Sequence, residues 1–286
     1  MSAMAIREER ADPYLGTVVN VVLSRQGRPN LPAAGCPFCV GGLEAPEEYD
    51  VKSFPNRWPA LGEGRCEVVL YTPDHDATFS SIGTDGALRV IDLWADRTTA
   101  LRSQPDVEFV LVFENRGPEV GATIAHPHGQ IYAYDHVPSR PLRRLESGWR
   151  PDPDPGERLI LEHRGWRVWT HFAPVHPISI SVAHEDQFLD LPSADRSHRS
   201  GLAETMVDLL ARLDRLYDRP LPYMMWLNQA PVGWSGDVSP WFNLELVSPW
   251  RASGVPRFIA AAELACDEYF NPVAPEDVAA RLRGLA

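Results

Sequence analysis

The chain has 286 residues, of which 44% are hydrophobic, and this is enough apolar material for one large folded core or two ordinary ones. Its formal net charge of −12 opposes general binding to nucleic acid or to an anionic membrane, so the positive charge that a phosphate ligand needs must be local. No segment reaches transmembrane length, and residues 1–14 lack the apolar stretch of a signal peptide, so we expect a cytoplasmic protein.

The first predicted strand comprises residues 17–23, which are mostly apolar and β-branched. It leads into a segment in which Arg25 and Arg28 lie on either side of a glycine. From the residues alone, these two arginines are either solvated surface charges, which is the commoner case, or a bidentate clamp for a phosphate group.

A Cys-X-X-Cys pair, Cys36 and Cys39, follows in a glycine-rich segment. Pro37 and the neighbouring glycines predict a tight turn that presents both sulfur atoms to one point. In a reducing compartment such a pair indicates a metal site or a redox pair rather than a structural disulfide. The strand and helix that surround a thioredoxin-type redox motif are missing from the predicted elements, so we expect zinc.

Loops and buried elements alternate in the next stretch. Residues 54–61 form a proline-punctuated loop whose aromatic side chains either pack on one another or hold a planar base. A strand is predicted at 66–71, and the spacing of apolar residues predicts a helix at 83–101. A buried strand at 109–113 then leads into a polar segment at 114–117.

The sequence His126-Pro127-His128-Gly129-Gln130 runs into an alternating apolar stretch and predicts a strand that carries the chemistry. A period of two places His126, His128 and Gln130 on one face. A neutral imidazole can attack phosphorus or bind a metal, and a carboxamide can donate a hydrogen bond to a phosphoryl oxygen. Pro127 and Gly129 indicate a backbone shaped for close approach to a ligand. The alternative is a polar strand with two surface histidines.

The second half of the chain repeats the order of the first. Strands are predicted at 166–169 and 178–182, a helix at 202–216, and strands at 223–227 and 241–247. The offset of about 110–115 residues indicates an internal duplication. We divide the chain into residues 1–149 and 157–286, joined by a proline-rich linker at 150–156. At the position of the histidine motif the second half reads Trp241-Phe242-Asn243, so we expect one competent site per chain.

Four residues are candidate metal ligands: Cys36, Cys39, His75 and His126. Two sulfur and two nitrogen atoms suit tetrahedral zinc, and four protein ligands leave no open position, which is typical of a structural site. Coordination of His126 would also fix the strand that carries His128. The alternative for His75 is a histidine at a strand end that hydrogen-bonds to backbone.

At this point several motifs resemble one family in both content and order. They are Cys36-Pro37-Phe38-Cys39, Phe54-Pro55-Asn56, Pro73-Asp74-His75, Phe113-Glu114-Asn115-Arg116-Gly117 and the histidine motif. The chain resembles the galactose-1-phosphate uridylyltransferases of the histidine-triad superfamily. The resemblance implies an α+β fold in which duplicated histidine-triad-like halves form one mainly antiparallel sheet, usually in a homodimer.

The resemblance also implies a double displacement. His128 would attack the α-phosphorus of a UDP-hexose and release hexose 1-phosphate, and a second hexose 1-phosphate would then take the UMP from His128. Gln130 would stabilise phosphoryl oxygens but cannot shuttle a proton at neutral pH, which favours transfer to an anionic acceptor over hydrolysis.

Further substrate-binding residues follow from the resemblance and not from the pattern itself. Arg25 and Arg28 match phosphate-binding arginines, and Asn115 and Thr123 match residues that contact substrate phosphates, with Thr123 in place of the usual serine. The remaining candidates from the matched motifs are Asn56 and Arg116, together with a C-terminal hexose-gripping segment in which Arg257, Phe258 and Glu263 are kept and a tyrosine is lost.

Some family members hold a second metal, iron, with two histidines on the strand that matches 241–247. This chain has Asn243 and Glu245 at those positions, so we expect zinc and no iron. Two other functions stay open. One is a nucleotide-sugar phosphorylase that uses inorganic phosphate and an ADP- or GDP-sugar, and the other is a non-catalytic nucleotide-binding protein.

Overall fold

A computed structural model describes residues 7–27 and 35–285. Arg28, a predicted phosphate ligand, lies outside the described residues. The strands are β1 (Arg7–Ala11), β2 (Val18–Val22), β3 (Lys52–Pro55), β4 (Cys66–Leu70), β5 (Phe109–Arg116), β6 (His128–Tyr134), β7 (Leu159–His163), β8 (Trp166–Thr170), β9 (Ile178–His184), β10 (Tyr223–Asn228), β11 (Asn243–Ser248), β12 (Trp250–Ala252) and β13 (Val255–Pro256).

The α-helices are α1 (Gly83–Arg102), α2 (Ser139–Glu146), α3 (Arg196–Arg215), α4 (Ala261–Cys266) and α5 (Pro275–Arg283), and short 3₁₀ turns occur at Leu23–Arg25, Pro118–Val120 and Gly156–Arg158. No helix of the described chain combines the length and the apolar character needed to cross a membrane.

One nine-stranded sheet dominates the molecule, in the order β3-β4-β6-β5-β10-β11-β9-β8-β7. Each adjacent pair is antiparallel. On one side of the central β5–β10 pair the strands run β5-β6-β4-β3, and on the other side they run β10-β11-β9-β8, so both halves repeat one arrangement. The predicted α+β fold with duplicated halves is confirmed, while the exact boundary at 150–156 stays a prediction.

The two long helices α1 and α3 pack against each other and cover one face of this sheet. In α1, Val90, Ile91 and Trp94 are buried together with the alternate strand residues that point to this face, such as Ile131 and Leu244. Their spacing puts one apolar stripe on the helix, which is why the sequence predicts α1 well. The helix-covered face therefore forms the main core.

The opposite face is covered differently in each half. Over β4, the Cys-X-X-Cys segment packs Phe38 and Ala45 against Val68 and Leu70. Over β11, α2 takes this place. Only the first of these arrangements leaves a large cavity against the sheet.

Candidate active site

Strand β6, which carries the candidate nucleophile, begins at His128 and not at His126. Gly129 and Ile131 are buried on the helix-covered face, whereas His128 and Gln130 point to the opposite face and line a cavity of about 770 Å³. His126 precedes β6 and so is not part of the strand, but it is buried in the Cys-X-X-Cys layer, where Phe38 contacts the rings of both His126 and His128.

Two contacts fix the imidazole of His128. Its Nδ1 lies 2.7 Å from the backbone oxygen of His126. A carbonyl oxygen only accepts, so Nδ1 carries the hydrogen and the lone pair of the neutral ring is on Nε2. The ring of Phe38 lies edge-on at 5.0 Å between centroids. The ring is thus held in the tautomer and orientation that a nucleophile with Nε2 requires.

Gln130 is oriented by Asn56 and by the hydroxyl of Tyr132, which donates to its Oε1 at 3.4 Å. The side-chain Nδ2 of Asn56 donates to Oε1 of Gln130 at 3.2 Å, and Oδ1 of Asn56 accepts from the backbone amide of Trp58 at 2.8 Å. Because the Gln130 oxygen faces Asn56, the Gln130 amide hydrogens are directed to another side. Those hydrogens are suitable donors for a phosphoryl oxygen in the cavity.

The structure brings together four of the predicted catalytic and substrate-binding residues in the cavity wall: His128, Gln130, Asn56 and Thr123. The side chain of Asn115 has a partner within the protein. Its amide donates to the backbone oxygen of Val120 at 3.2 Å, and this bond holds the loop that precedes Thr123.

Other predicted substrate-binding residues have partners inside the protein. Arg116 makes a two-pronged contact with Asp214 of α3, at 2.8 and 3.2 Å. Arg257 and Glu263 are both buried and form an ion pair with each other. Phe258 between them is 80% exposed. Arg25 ends a 3₁₀ turn. Burial raises the pKa of the Cys66 thiol, and the charge of Arg25 is one of the smaller effects that oppose this rise.

The four candidate metal ligands converge. The ligand atoms of Cys36, Cys39, His75 and His126 all lie within 4.8 Å of one another. Sγ of Cys39 is 3.5 Å from Nδ1 of His75 and 3.7 Å from Nδ1 of His126. Tetrahedral zinc with ordinary bond lengths places sulfur and nitrogen ligands about 3.5 Å apart, so the arrangement fits the ion.

The hydrogen bonds of His126 agree with a ligand role. Its Nε2 donates to the backbone oxygen of Thr72 at 2.8 Å, which leaves the lone pair on Nδ1, toward Cys39. Metal-binding histidines commonly make such a bond through the second nitrogen. Burial lowers the pKa of His126, which favours the neutral ring that a metal needs. Within the described ranges, the polar contact of His75 is with Cys39 rather than with a backbone group.

In the second half, Asn243 and Glu245 contact arginines of α2, a helix that the sequence did not predict. Arg144 of α2 lies 2.5 Å from Glu245 and donates to Asn243 at 2.9 Å, while Arg140 lies 3.3 Å from Glu245. Arg140 and Arg144 are one helical turn apart, but Asn243 and Glu245 lie about a hundred residues further along the chain. No local sequence pattern therefore links the arginines to these two residues. The positive charge beside Glu245 comes from guanidinium groups.

A second histidine cluster, His184 with Asp186 and His198, also brings ligand-type atoms close together. Both ring nitrogens of His184 already have backbone partners, because Nε2 donates to the oxygen of Arg164 at 3.1 Å and Nδ1 accepts from the amide of Asp186 at 2.9 Å. These bonds give His184 a structural role.

Comparisons with known proteins agree with this geometry. The family described as the N-terminal domain of galactose-1-phosphate uridyl transferase matches residues 47–138. A galactose-1-phosphate uridylyltransferase of Streptomyces lividans is 35% identical over 98% of this chain and 87% of its own length, and one of Thermotoga maritima is 32% identical over 96% and 98%. A solved uridylyltransferase structure covers 98% of both chains with a TM-score of 0.89 at 25% identity. The chain belongs to the galactose-1-phosphate uridylyltransferase family.

Proposed function

We propose that the protein is a uridylyltransferase that moves UMP from a UDP-hexose to a hexose 1-phosphate through an adduct on Nε2 of His128. The observation that carries this proposal is the arrangement of His128 and Gln130 on one strand face in the cavity. Membership of the family gives independent support.

The first step forms a bond between Nε2 of His128 and the α-phosphorus and breaks the bond from that phosphorus to the β-phosphate oxygen. Hexose 1-phosphate leaves with the electron pair. The ring becomes cationic, and its Nδ1 hydrogen, already donated to the His126 oxygen, stabilises that charge. In the second step an oxygen of the acceptor hexose 1-phosphate forms a bond to the same phosphorus, the bond from phosphorus to Nε2 breaks, and its electron pair restores the neutral ring.

Gln130 suits transfer between two phosphate esters. Its amide can donate to a non-bridging oxygen as charge develops there. Neither the leaving group nor the acceptor needs a proton, since both are phosphate anions, whereas attack by water would need a base. A carboxamide at this position thus favours transfer over hydrolysis.

The remaining substrate contacts divide by location. Asn56 and Thr123 meet substrate in the cavity, and Asn115 supports the loop that carries Thr123. Arg25 and Arg28 are proposed to supply positive charge near the phosphates, whereas Arg116 is held by Asp214 of α3, a helix that covers the opposite face of the sheet. Phe258 is exposed and available to a hexose, while the buried pair of Arg257 and Glu263 holds the segment that presents it.

We also propose one structural zinc per chain, held by Cys36, Cys39, His75 and His126, and no iron. Bound zinc supplies a fixed tetrahedral anchor with no open position. The residue it anchors, His126, is the one whose backbone oxygen orients His128. Both thiols of the pair are free, which suits a reducing, cytoplasmic compartment.

A homodimer is proposed from the family and from exposed apolar side chains. Tyr14 and Leu15 at the β1–β2 turn are 92% and 82% exposed, and Phe258 and Phe270 of the C-terminal segment are also exposed. Sedimentation of the protein at micromolar concentration should give twice the mass of the chain, and a single monomeric species would contradict this part.

The central experiment is incubation with UDP-glucose labelled at the α-phosphate, followed by denaturation and peptide mapping. We expect acid-labile label on His128, and none in a His128→Ala variant that unfolds at the same temperature as the wild type. Galactose 1-phosphate should discharge the label as UDP-galactose. Discharge by inorganic phosphate alone would identify a phosphorylase, and absence of label from the wild type would contradict the transferase.

A further inference from the structure

A buried carboxyl group lies behind the nucleophile strand, on the helix-covered face of the sheet. Glu114 of β5 is only 4% exposed and accepts two hydrogen bonds, from the hydroxyl of Tyr71 at 3.0 Å and from that of Tyr223 at 2.8 Å. The reaction scheme above uses none of these three side chains. Buried polar groups with this degree of satisfaction usually fix a geometry.

The Tyr71 hydroxyl touches the backbone between the two reactive residues. A Cβ atom at Gly129 would come 2.3 Å from this oxygen and 3.2 Å from the backbone oxygen of Phe113. No side chain fits in that space. The residue between His128 and Gln130 is therefore a glycine because the hydroxyl of Tyr71 occupies the volume of a side chain.

Tyr71 itself has little freedom to move. Its ring packs edge-on against Phe79 and Trp94, at 5.5 and 5.8 Å between centroids. Its hydroxyl is tied to Glu114, which lies on the adjacent strand β5. A rigid side chain that contacts β6 on the helix-covered face limits how closely the strand can approach the helices.

The second tyrosine provides a comparison within the same network. Tyr223 on β10 donates to Glu114 as Tyr71 does, but the closest atoms to a side chain at Gly129 include none of Tyr223. Both tyrosines are buried, and loss of either hydroxyl leaves Glu114 with one donor.

We propose that Tyr71, held by Glu114, is a positioning residue that sets the height of the His128-Gly129-Gln130 backbone and so aims Nε2 of His128 at the α-phosphorus. The proposal rests on the transferase function proposed above. Reactions of this kind are sensitive to displacement of the attacking atom, and a shift of about 1 Å can cost about 100-fold in rate.

The first test compares Tyr71→Phe with Tyr223→Phe, which each remove one hydroxyl from the same carboxyl. The rate constant for labelling of His128 at saturating UDP-glucose should fall about tenfold in Tyr71→Phe and clearly less in Tyr223→Phe. The dissociation constant for UDP-glucose should change by less than about twofold in both, because positioning affects the chemical step and not the cavity wall. Equal effects of the two variants would overturn the proposal.

The second test uses the predicted overlap at Gly129. Gly129→Ala should slow labelling by about 100-fold, and Gly129→Ala combined with Tyr71→Phe should be faster than Gly129→Ala alone, because the second change removes the clashing oxygen. The double variant of Gly129→Ala and Tyr223→Phe should be no faster than Gly129→Ala alone. Additive losses in the Tyr71 combination would overturn the proposal.

Wild-type labelling separates this proposal from the function on which it rests. If the wild type forms no adduct, the transferase function fails, and the positioning claim is decided by the ¹⁵N resonances of His128 in histidine-labelled protein. Those resonances should shift in Tyr71→Phe and stay in place in Tyr223→Phe. Unchanged resonances in Tyr71→Phe would overturn the claim.

Discussion

The orientation of one amide, that of Gln130, depends on two donors to its oxygen, the amide of Asn56 at 3.2 Å and the hydroxyl of Tyr132 at 3.4 Å. Asn56 donates to the Gln130 oxygen and so directs the Gln130 amide hydrogens away from itself. An aspartate at position 56 could only accept, so the Gln130 amide would turn over to donate to it and present its oxygen to the phosphate instead. Repulsion between that oxygen and a phosphoryl oxygen would oppose transfer.

We therefore expect Asn56→Asp to slow labelling of His128 by at least about tenfold and to exceed the effect of Asn56→Ala. Aspartate keeps the acceptor that binds the Trp58 amide, so the loop and the melting temperature should change little. Rapid-quench measurement of adduct formation tests this order. Faster labelling of His128 in Asn56→Asp than in Asn56→Ala would show that the Gln130 amide does not act as a donor.

Glu114 should give the stability of the protein a distinctive pH dependence. Burial raises its pKa from 4.5 to about 7, opposed by hydrogen bonds from Tyr223 and Tyr71 and by the charge of Arg116, while Asp214 adds to the rise. The folded state thus holds this proton more tightly than the unfolded state. The tighter proton binding adds about 3 kcal/mol to the free energy of unfolding. This stabilisation is fully present below about pH 4.5 and is lost as the pH rises through 7.

Glu114→Gln cannot ionise, so the difference in unfolding free energy between wild type and variant should change across pH 4.5–7 and level off above it. Urea denaturation at closely spaced pH values measures that difference and cancels the contributions of the histidines. A pH-independent difference would contradict the raised pKa.

Residue identities in the site were largely predictable from the sequence, whereas their partners were not. The histidine motif and the four metal-type residues carry their chemistry in their side chains, so type and order sufficed. The contact of Arg116 with Asp214 joins residues 98 positions apart, and the pair of Asn56 with Gln130 joins residues 74 apart. No local pattern encodes either contact, because both arise only when strands and helices assemble.

At the level of elements, the Cys-X-X-Cys segment should depend on its metal. We expect the purified protein to contain about one zinc per chain, and Cys36→Ser to lose it and melt at a lower temperature, since a structural site contributes to folding. Cys266→Ser is the matched control, because that thiol is exposed and outside the cluster. Elemental analysis and thermal unfolding decide the matter, and stoichiometric iron would contradict the assignment.

Helix α2 offers a second prediction at this level. Glu245 is 1% exposed, so removing the Arg144 guanidinium leaves a buried carboxylate with poor compensation. Arg144→Ala should lower the free energy of unfolding by about 3–5 kcal/mol. Arg140→Ala, whose side chain is 71% exposed, should cost less than about 1 kcal/mol. Urea denaturation of both variants tests this, and similar costs would show that Arg144 does not neutralise Glu245.

Elements with one apolar stripe were predictable and those without one were not. The helix predicted at 83–101 is Gly83–Arg102, while the helix predicted at 202–216 begins at Arg196 because Asp195 caps its first turn by accepting from the amide of His198. Helix α2 was missed because it has only eight residues and none of them is fully buried; Arg144 and Arg140 instead pair with Glu245. Its stability depends on Glu245, which lies in the other half of the chain.

At the scale of the whole molecule, duplication has produced two similar strand arrangements with different cover. His128 and Gln130 of β6 correspond to Asn243 and Glu245 of β11 in the repeated order of strands. The first pair faces the large cavity, and the second pair is buried beneath Arg144 and Arg140 of α2. A nucleotide could therefore reach the pair on β6 but not the pair on β11.

Labelling with α-phosphate-labelled UDP-glucose should therefore saturate at one UMP per chain. Asn243→His should leave this number at one, although it places a histidine at the position equivalent to His128, because α2 excludes substrate and its guanidinium groups occupy the polar surface. The same substitution in His128→Ala should give no label. Quantitative labelling against protein concentration measures the number, and a value near two in Asn243→His would show that substrate reaches the second half despite α2.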